Sequence, residues 1–209
     1  MNASQPIEQS LAYFQNWAAQ FASNIVFRPP VNPTALENFR EKSGLILPSD
    51  LIQYLQITDG ETSTSAGMIG NWRLMPLLEI QAAWGLLGKL AEKGAFSELT
   101  PEKSPYIRQA WWSPSWIPIG TNDTGDYFCL DTDPPDPTRF GQVLLYLRNR
   151  PQRPLIAGSV RTWFDRIISD LKAGFYTFDT YEGFNNEGFM KSSLEGKHLL
   201  DGLEGKLIA

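Results

Sequence analysis

Aspartate is concentrated between residues 111 and 137, in the segment WWSPSWIPIGTNDTGDYFCLDTDPPDP. Clustered carboxylates can bind a metal ion or carry out acid–base chemistry, and the candidates here are Asp123, Asp126, Asp131, Asp133 and Asp136. Their order lacks the Asp-x-Asp-x-Asp-Gly pattern, followed by a distant Glu, of a calcium-binding loop. Asp and Asn also favour turns, because their side chains hydrogen-bond nearby backbone groups. The spacing therefore predicts turns and an acidic recognition edge, with no metal site and no catalytic carboxylates.

Three tryptophans in the same segment, Trp111, Trp112 and Trp116, allow two interpretations. Each indole offers a large flat face and one N–H donor, so together they could form a stacking platform for a sugar or a peptide. Alternatively, Trp116 packs under a sheet while the other two seal the approach to its first strand. Because successive side chains of a strand point to opposite faces of the sheet, Trp116 lies on one face and Ile117 and Ile119 lie on the other, which leaves one face for the core. We expect this packing, with an exposed edge around Trp111 and Trp112 that a partner can contact.

The residue types needed for nucleophilic catalysis are scattered along the chain. Cys129 lies in a predicted strand, where a small buried hydrophobe is its usual role, and His198 lies in a Gly-rich C-terminal stretch. A nucleophile and its base must lie within hydrogen-bonding distance of each other. The sequence also lacks the GxxxxGK[ST] and GxGxxG loops that bind nucleotide phosphates. It therefore predicts a protein without enzymatic activity and without a cofactor.

Arg148, Arg150 and Arg153 follow a predicted strand and could bind a phosphate or a partner's carboxylates through their planar guanidinium groups. The alternative, a solvated hairpin loop, is the one that we expect. Successive hairpin turns alternate between the two ends of a meander, so the turn with Asp123 and Asp126 should lie at the same end as these arginines. We expect a mixed-charge rim there, which suits protein recognition better than nucleic-acid binding.

The composition is that of a globular protein with a negative net charge. Apolar residues make up 42% of the 209 residues and charged residues 20%, with a formal net charge of −5. This charge favours a basic partner and argues against direct binding to nucleic acid or to an anionic membrane. We find neither the cationic head of a signal peptide nor the roughly 18 consecutive apolar residues of a membrane span. The single cysteine suits a reducing compartment, and we expect the cytoplasm.

The hydrophobic periodicity changes halfway along the chain. Spacings of three and four residues predict helices over residues 7–23, 34–43, 49–59, 78–93 and 159–173. Candidate helix ends are the capping box of Thr34 and Glu37, the caps Ser49 and Ser159, and the stops Gly44, Gly60 and Gly174. Short aromatic and β-branched runs predict a strand within 71–77 and an antiparallel meander of strands over 116–119, 127–132, 142–148 and 155–158.

Four segments, in this order and spacing, resemble the SMI1/KNR4 family, also called the SUKH superfamily. They are LPSDLIQYLQITDG, WIPIGTNDTGDYFCLDTDP, GQVLLYLRNRP and LIAGSVRTWFDRIISDL. The resemblance implies an α+β fold with a mixed, largely antiparallel sheet, braced by N-terminal helices and a C-terminal helix. We expect this domain over residues 1–175 and a Gly- and charge-rich extension over 176–209. The insert from Ala95 to Gln109 and the extension match no family segment, so partner choice could reside in either.

The resemblance also implies a class of function. Many bacterial members are immunity proteins that bind and neutralise a cognate toxin, and fungal relatives regulate cell-wall synthesis. We expect a protein that binds another protein, with a toxin such as a basic nuclease as the first candidate partner and a regulatory scaffold as the alternative. A sensor of glycans or small molecules that uses the tryptophans is a third class. The predicted contact residues are Asp59, Glu61, Trp111, Trp112, Asp123, Asp126, Asp131 and Asp133.

Overall fold

The computed structural model describes residues 6–20, 25–62, 67, 72–174, 176–180 and 188–192, which form α-helices and two antiparallel sheets. The helices are α1 (Ile7–Ala19), α2 (Pro33–Ser43), α3 (Ser49–Ile57), α4 (Leu77–Glu92) and α5 (Val160–Lys172). The strands are β1 (Arg73–Leu74), β2 (Trp116–Thr121), β3 (Tyr127–Asp131), β4 (Gln142–Tyr146), β5 (Leu155–Ala157), β6 (Tyr176–Thr180) and β7 (Gly188–Ser192). The predicted α+β class is confirmed.

The main sheet has the strand order β1-β2-β3-β4-β5, and each of its pairings is antiparallel. Strands β2 to β5 are the predicted meander. The short strand β1 lies beside β2, where Arg73 pairs with Thr121 and Leu74 with Gly120. Strands β6 and β7 pair as a separate two-stranded sheet within the predicted extension, whereas His198 lies outside the described residues. The domain boundary at residue 175 stays a prediction.

Two helix starts show how local chemistry sets the elements. At the start of α5, Ser159 Oγ accepts the N–H of Thr162 at 3.2 Å, and Thr162 Oγ1 accepts the N–H of Ser159 at 2.9 Å. This reciprocal capping box confirms the predicted cap. The predicted capping box at Thr34 is wrong, because the cap of α2 is Asn32, whose Oδ1 accepts the N–H of Thr34 at 2.9 Å. Asn32 precedes a proline, which suits the first helical position.

Both faces of the main sheet are covered, whereas the sequence predicted one core face. On one face, Ile117 and Ile119 pack in a core with side chains of α1, α3 and α5. On the other face, Trp116, Cys129 and Tyr146 pack in a second core. The other buried members of this second core are Leu87, Ile107, Trp111, Trp112 and Leu144. The predicted alternation along β2 is therefore correct, but the insert after α4 supplies a cover for the second face.

Gly60 allows two backbone segments to approach closely. It was predicted to end the third helix, but α3 ends at Ile57, and Ser49 at its start makes no side-chain cap. Gly60 has a φ of 74°, and a Cβ placed there would lie 2.7 Å from the carbonyl carbon of Met75 and 2.8 Å from the carbonyl oxygen of Leu74. Any other residue would therefore meet both backbone strain and overlap with the segment that follows β1.

We predict that Gly60→Ala lowers the free energy of unfolding by about 2–5 kcal/mol, the sum of a left-handed residue and an overpacked contact. Gly44→Ala is the matched control, because Gly44 has a φ of 65° but a Cβ added to it would meet nothing within 4 Å. The control should lose only about 1–2 kcal/mol. Urea unfolding followed by circular dichroism measures both. Equal losses for the two variants would contradict the close approach at Gly60.

Candidate recognition surface

The turn between β2 and β3, residues 122–126, is shaped by its own polar side chains. Asn122 Oδ1 accepts hydrogen bonds from the N–H and the hydroxyl of Thr124, at 3.0 and 2.8 Å. Asp123 has a φ of 59°, a left-handed conformation that Asp tolerates better than most residues. Its N–H donates to Thr121 Oγ1 at 3.0 Å. These bonds do not use the Asp123 carboxylate, which reaches β1 instead.

Arg73 on β1 joins this turn to the first turn of α4. Its Nε and Nη2 donate to Asp123 Oδ2 and Oδ1 at 3.0 and 2.7 Å, and Nη2 also lies 2.7 Å from Glu79 Oε2. The hydrogen bonds with Asp123 are the main reason that the pKa of Arg73 is raised. The side chain of Arg73 is 13% exposed, whereas those of Asp123 and Glu79 are 51% and 42% exposed. Two half-exposed carboxylates thus share one guanidinium, and the group keeps a negative charge.

Asp126 fixes the same hairpin end to the loop after β4. Its Oδ1 accepts the N–H of Arg148 at 2.7 Å, and its Oδ2 accepts Nδ2 of Asn122 at 3.1 Å. The predicted placement of Asp123 and Asp126 at the same end of the sheet as Arg148 is confirmed. Both carboxylate oxygens of Asp126 have a neighbour within the chain, so its first role is to stabilise the hairpin end.

A shallow groove of about 290 Å³ lies between α4 and this turn. Its lining includes the apolar Met75, Ala82, Leu86 and Tyr127 and the acidic Glu79 and Asp123. Leu86 is 59% exposed, and Leu78, two helical turns earlier, is 76% exposed. Because an α-helix repeats every 3.6 residues, Leu78, Ala82 and Leu86 align along one face. We name these three residues the α4 apolar stripe.

At the other end of the β2–β3 hairpin, Asp131 and Asp133 bind neighbouring segments. Asp131 is 1% exposed, and its carboxylate accepts the N–H of Asp133 and Nε2 of Gln142, both at 3.1 Å. Gln142 Nε2 also donates to the Tyr106 carbonyl at 2.7 Å. Asp133 pairs with Arg108 of the insert at 2.7 Å, and both side chains are 54% exposed. Burial removes Asp131 from the predicted contact set, while Asp133 is accessible.

The two adjacent tryptophans are buried, so the predicted exposed edge around them is wrong. Trp111 and Trp112 are 9% and 4% exposed. The Trp112 ring packs edge-on against Trp116 and Tyr146, with centroid distances of 5.9 and 5.2 Å. The Arg153 guanidinium lies 4.9 Å from the Trp111 centroid and 4.6 Å from that of Tyr146. These contacts leave no open ring face for a stacking platform, and the expected packing at the approach to the first strand is confirmed.

Arg153 is buried, although the sequence placed it in a solvated loop. Its Nε and Nη2 donate to the Trp111 carbonyl at 3.2 and 2.7 Å. Its Nη1 donates to the carbonyls of Arg150 and Gln152, both at 2.6 Å, and to that of Leu147 at 3.3 Å. Burial lowers the pKa of Arg153 to about 10. The other two arginines of this loop are exposed, so the predicted mixed-charge rim contains them without Arg153.

The carboxylates of Asp59 and Glu61 accept hydrogen bonds from backbone N–H groups of α4 and β1. Asp59 Oδ1 accepts the N–H of Leu77 at 2.6 Å and so caps α4, whose preceding Pro76 offers no side-chain cap. Glu61 is 1% exposed, and its Oε1 accepts the N–H of Leu74 at 2.9 Å. The Glu61 N–H also donates to the Leu74 carbonyl at 3.1 Å. Burial removes Glu61 from the predicted contact set, and the half-buried Asp59 has a structural role.

Comparison with known protein families matches residues 30–166 to the SMI1 / KNR4 family (SUKH-1), a stretch that begins before α2 and ends within α5. The chain belongs to this family. A relative named KNR4/SMI1 homolog 1, from Debaryomyces hansenii, is 24% identical over 260 aligned residues. That alignment covers 94% of this chain and 55% of the relative, so the chain spans about half of the relative's length.

This SUKH-1 chain carries an exposed apolar surface on α4, where the sequence pattern did not place one. The segment LEIQAAWGLLGKLAEKG was predicted to be a helix, and α4 confirms it, but its second apolar face was missed. The sequence feature that could have revealed this face is the presence of apolar residues on more than one side of α4, since a helix packed on one side needs a single stripe.

Among the described residues, no group of three or more His, Cys, Asp and Glu side chains could hold a metal ion, and no described helix is long and apolar enough to cross a membrane.

We predict that Arg153→Lys lowers the free energy of unfolding by about 2–4 kcal/mol, because one ammonium group cannot reach all the carbonyls that the guanidinium binds. The matched control is Arg40→Lys, since Arg40 lies in an exposed ion pair with Glu37. That change should cost less than about 0.5 kcal/mol. Urea unfolding measures both. A stability loss for Arg153→Lys no larger than that for Arg40→Lys would contradict the structural role of the buried Arg153 guanidinium.

We predict opposite pH dependences for Asp131→Asn and Asp136→Asn. Burial raises the pKa of Asp131, so its ionisation opposes folding, and the wild type should lose stability relative to Asp131→Asn as the pH rises above about 4. Hydrogen bonds from the Thr138 hydroxyl and N–H lower the pKa of Asp136. The wild type should therefore lose stability relative to Asp136→Asn as the pH falls below about 4. Unfolding curves between about pH 2.5 and 7 test both signs, and parallel profiles would refute the assignment.

Proposed function

We propose that this SUKH-1 chain is a non-enzymatic protein-binding module that neutralises a cognate bacterial toxin in the cytoplasm. The observation that carries the proposal is the surface beside α4, where exposed leucines adjoin the half-exposed carboxylates of Glu79 and Asp123. Exposed apolar patches with a polar border are typical of protein interaction sites. Family membership supports the same class of function, because many bacterial members are immunity proteins.

The chemistry of the potential nucleophile supports binding over catalysis. Cys129 is fully buried in the second core, and burial raises the pKa of its thiol well above the ordinary value. A reactive cysteine needs an accessible thiolate. The carboxylates of Asp126 and Asp131 are engaged by groups within the chain. The accessible polar groups are therefore suited to partner contact rather than to bond-making.

Charge favours a basic toxin as the partner. The chain has a formal net charge of −5, and Asp123 and Asp133 each expose about half of their side chain. Nucleases that bind a polyanion commonly carry positive charge, which an acidic inhibitor attracts. A stable interface buries about 800 Å² on each partner, more than one turn provides. The partner must therefore contact further surface, and α4 adjoins the β2–β3 turn across the groove.

The proposal predicts a toxin-like reading frame immediately upstream in the source genome, and the decisive test is co-expression with the toxin domain of that reading frame. We expect the chain to restore growth and to co-elute with an inactive variant of that toxin in size-exclusion chromatography. Growth arrest that persists despite soluble co-expression, together with separate elution, would refute the immunity function.

Charge reversal tests the acidic surface. We predict that Asp123→Lys weakens toxin affinity at least about tenfold, because a like charge then faces the basic partner. Glu41→Lys is the matched control, since Glu41 is exposed on α2 and the change in net charge is the same. Calorimetric titration measures both variants after circular dichroism has verified their fold. Equal affinities for the two variants would contradict a role for the β2–β3 turn.

The second candidate is a regulatory scaffold of cell-envelope synthesis, favoured by the likeness to the Debaryomyces hansenii relative. Gene deletion separates the two candidates. A regulator predicts altered sensitivity to cell-wall inhibitors in a strain without the toxin gene. If the chain is an immunity protein, a strain that lacks its gene should die or grow slowly only while the toxin gene is intact.

A further inference from the structure

We infer that the α4 apolar stripe and the adjoining groove dock one amphipathic α-helix of the protein partner, with a Lys or Arg of that helix bound between Glu79 and Asp123. The inference rests on the proposed function in one respect, namely that the ligand is a protein. It adds the location of the contact, the secondary structure of the bound segment and the charge of its central polar residue.

Helix α4 has two apolar faces, and the described structure covers one of them. Ile80, Ala83 and Leu87 are buried against the body of the protein. Leu78 and Leu86 are 76% and 59% exposed. Removing exposed leucine side chains from water favours association, so two aligned leucines favour an apolar partner.

The spacing of the α4 apolar stripe suits a helical partner. Leu78 and Leu86 are eight residues apart, which is about 12 Å along a helix axis. This distance matches apolar side chains at positions i, i+4 and i+8 of a helix packed alongside α4. Between the two leucines the side chains project little from α4, because Ala82 is small and Gly85 has no side chain. The space beside Gly85 is open, since a Cβ added there would meet nothing within 4 Å. The backbone of a partner helix can therefore approach α4 closely.

The charge beside the α4 apolar stripe favours a basic partner and decides against other occupants. Glu79 and Asp123 line the groove and share the guanidinium of Arg73. The side chain of Arg148 lies beside Gly125 of the lining, and the neighbouring carboxylate of Asp126 offsets its charge, so one net negative charge remains for a partner cation. A second copy of this chain would present the same carboxylates in a symmetric contact. An anionic lipid surface would be repelled. Lys89 is exposed one turn beyond Leu86 and outside the groove lining, so it does not neutralise this site.

The test uses a synthetic helical peptide with leucines at positions i, i+4 and i+8 and lysines beside them, and a second peptide in which glutamates replace the lysines. Fluorescence anisotropy of the labelled peptides gives their affinities for the full chain. We expect the lysine peptide to bind at least about tenfold more tightly than the glutamate peptide. Amide chemical-shift changes on binding should lie within residues 77–89 and 121–127. Equal affinities, or shifts confined to other regions, overturn the proposal.

Leu78→Gln combined with Leu86→Gln removes the apolar contact while keeping good helix formers in α4. This double variant should bind the lysine peptide at least about tenfold more weakly. Ile46→Gln is the control, because Ile46 is 78% exposed in the loop before α3 and lies away from the groove lining. It should bind like the wild type. An unchanged affinity in the double variant, with its fold verified by circular dichroism, also overturns the proposal.

Two further measurements separate the docking site from the proposed function. If the double Gln variant and the wild type neutralise the toxin equally, the docking site is wrong and the immunity function stands. If the wild type does not neutralise the toxin but binds the lysine peptide at α4, the immunity function is wrong and the docking site stands. Sedimentation analysis tests the remaining occupant, a second copy of this chain. If the wild type is a dimer and the double Gln variant is a monomer, a second copy covers the stripe and the proposed partner helix is wrong.

Discussion

The buried guanidinium of Arg153 ties the second face of the sheet to the segment that covers it. It donates to the carbonyl of Trp111 and to carbonyls of the loop after β4, and it lies over the rings of Trp111 and Tyr146. A cation out of water is tolerated only when its donors have acceptors and its flat faces have partners. The position of Trp111 is therefore constrained, and with it the position of the insert that precedes it.

This constraint decides where the chain can contact another molecule. Because the insert covers one face of the sheet and α1, α3 and α5 cover the other, neither face is open to a ligand. Among the described residues, the turns at the ends of the sheet and the outer face of α4 are accessible, and we propose recognition there. The groove beside α4 combines both, since one wall includes Ala82 and Leu86 of the α4 apolar stripe and the other includes Asp123 of the β2–β3 turn.

The acidic residues divide into two groups according to their contacts. Asp59, Glu61 and Asp131 accept hydrogen bonds from backbone or buried amide groups and hold neighbouring segments in place. Asp123 and Asp133 also bind arginines, but about half of each side chain remains accessible. The net charge of the whole chain therefore does not distinguish carboxylates that hold the structure together from carboxylates that are accessible. Only the accessible carboxylates can attract a basic partner.

The amino-acid sequence alone determined the helices, the meander and the capping box at Ser159, because hydrophobic periodicity and capping depend on residues a few positions apart. It also determined the family. Tertiary structure decided which polar residues are buried: Arg153 binds the carbonyl of Trp111, 42 residues away, and Glu61 binds the N–H of Leu74, 13 residues away. Local pattern carries no information on such partners. For the same physical reason the second apolar face of α4 became visible only when the helix was packed, since burial is a property of the assembled chain.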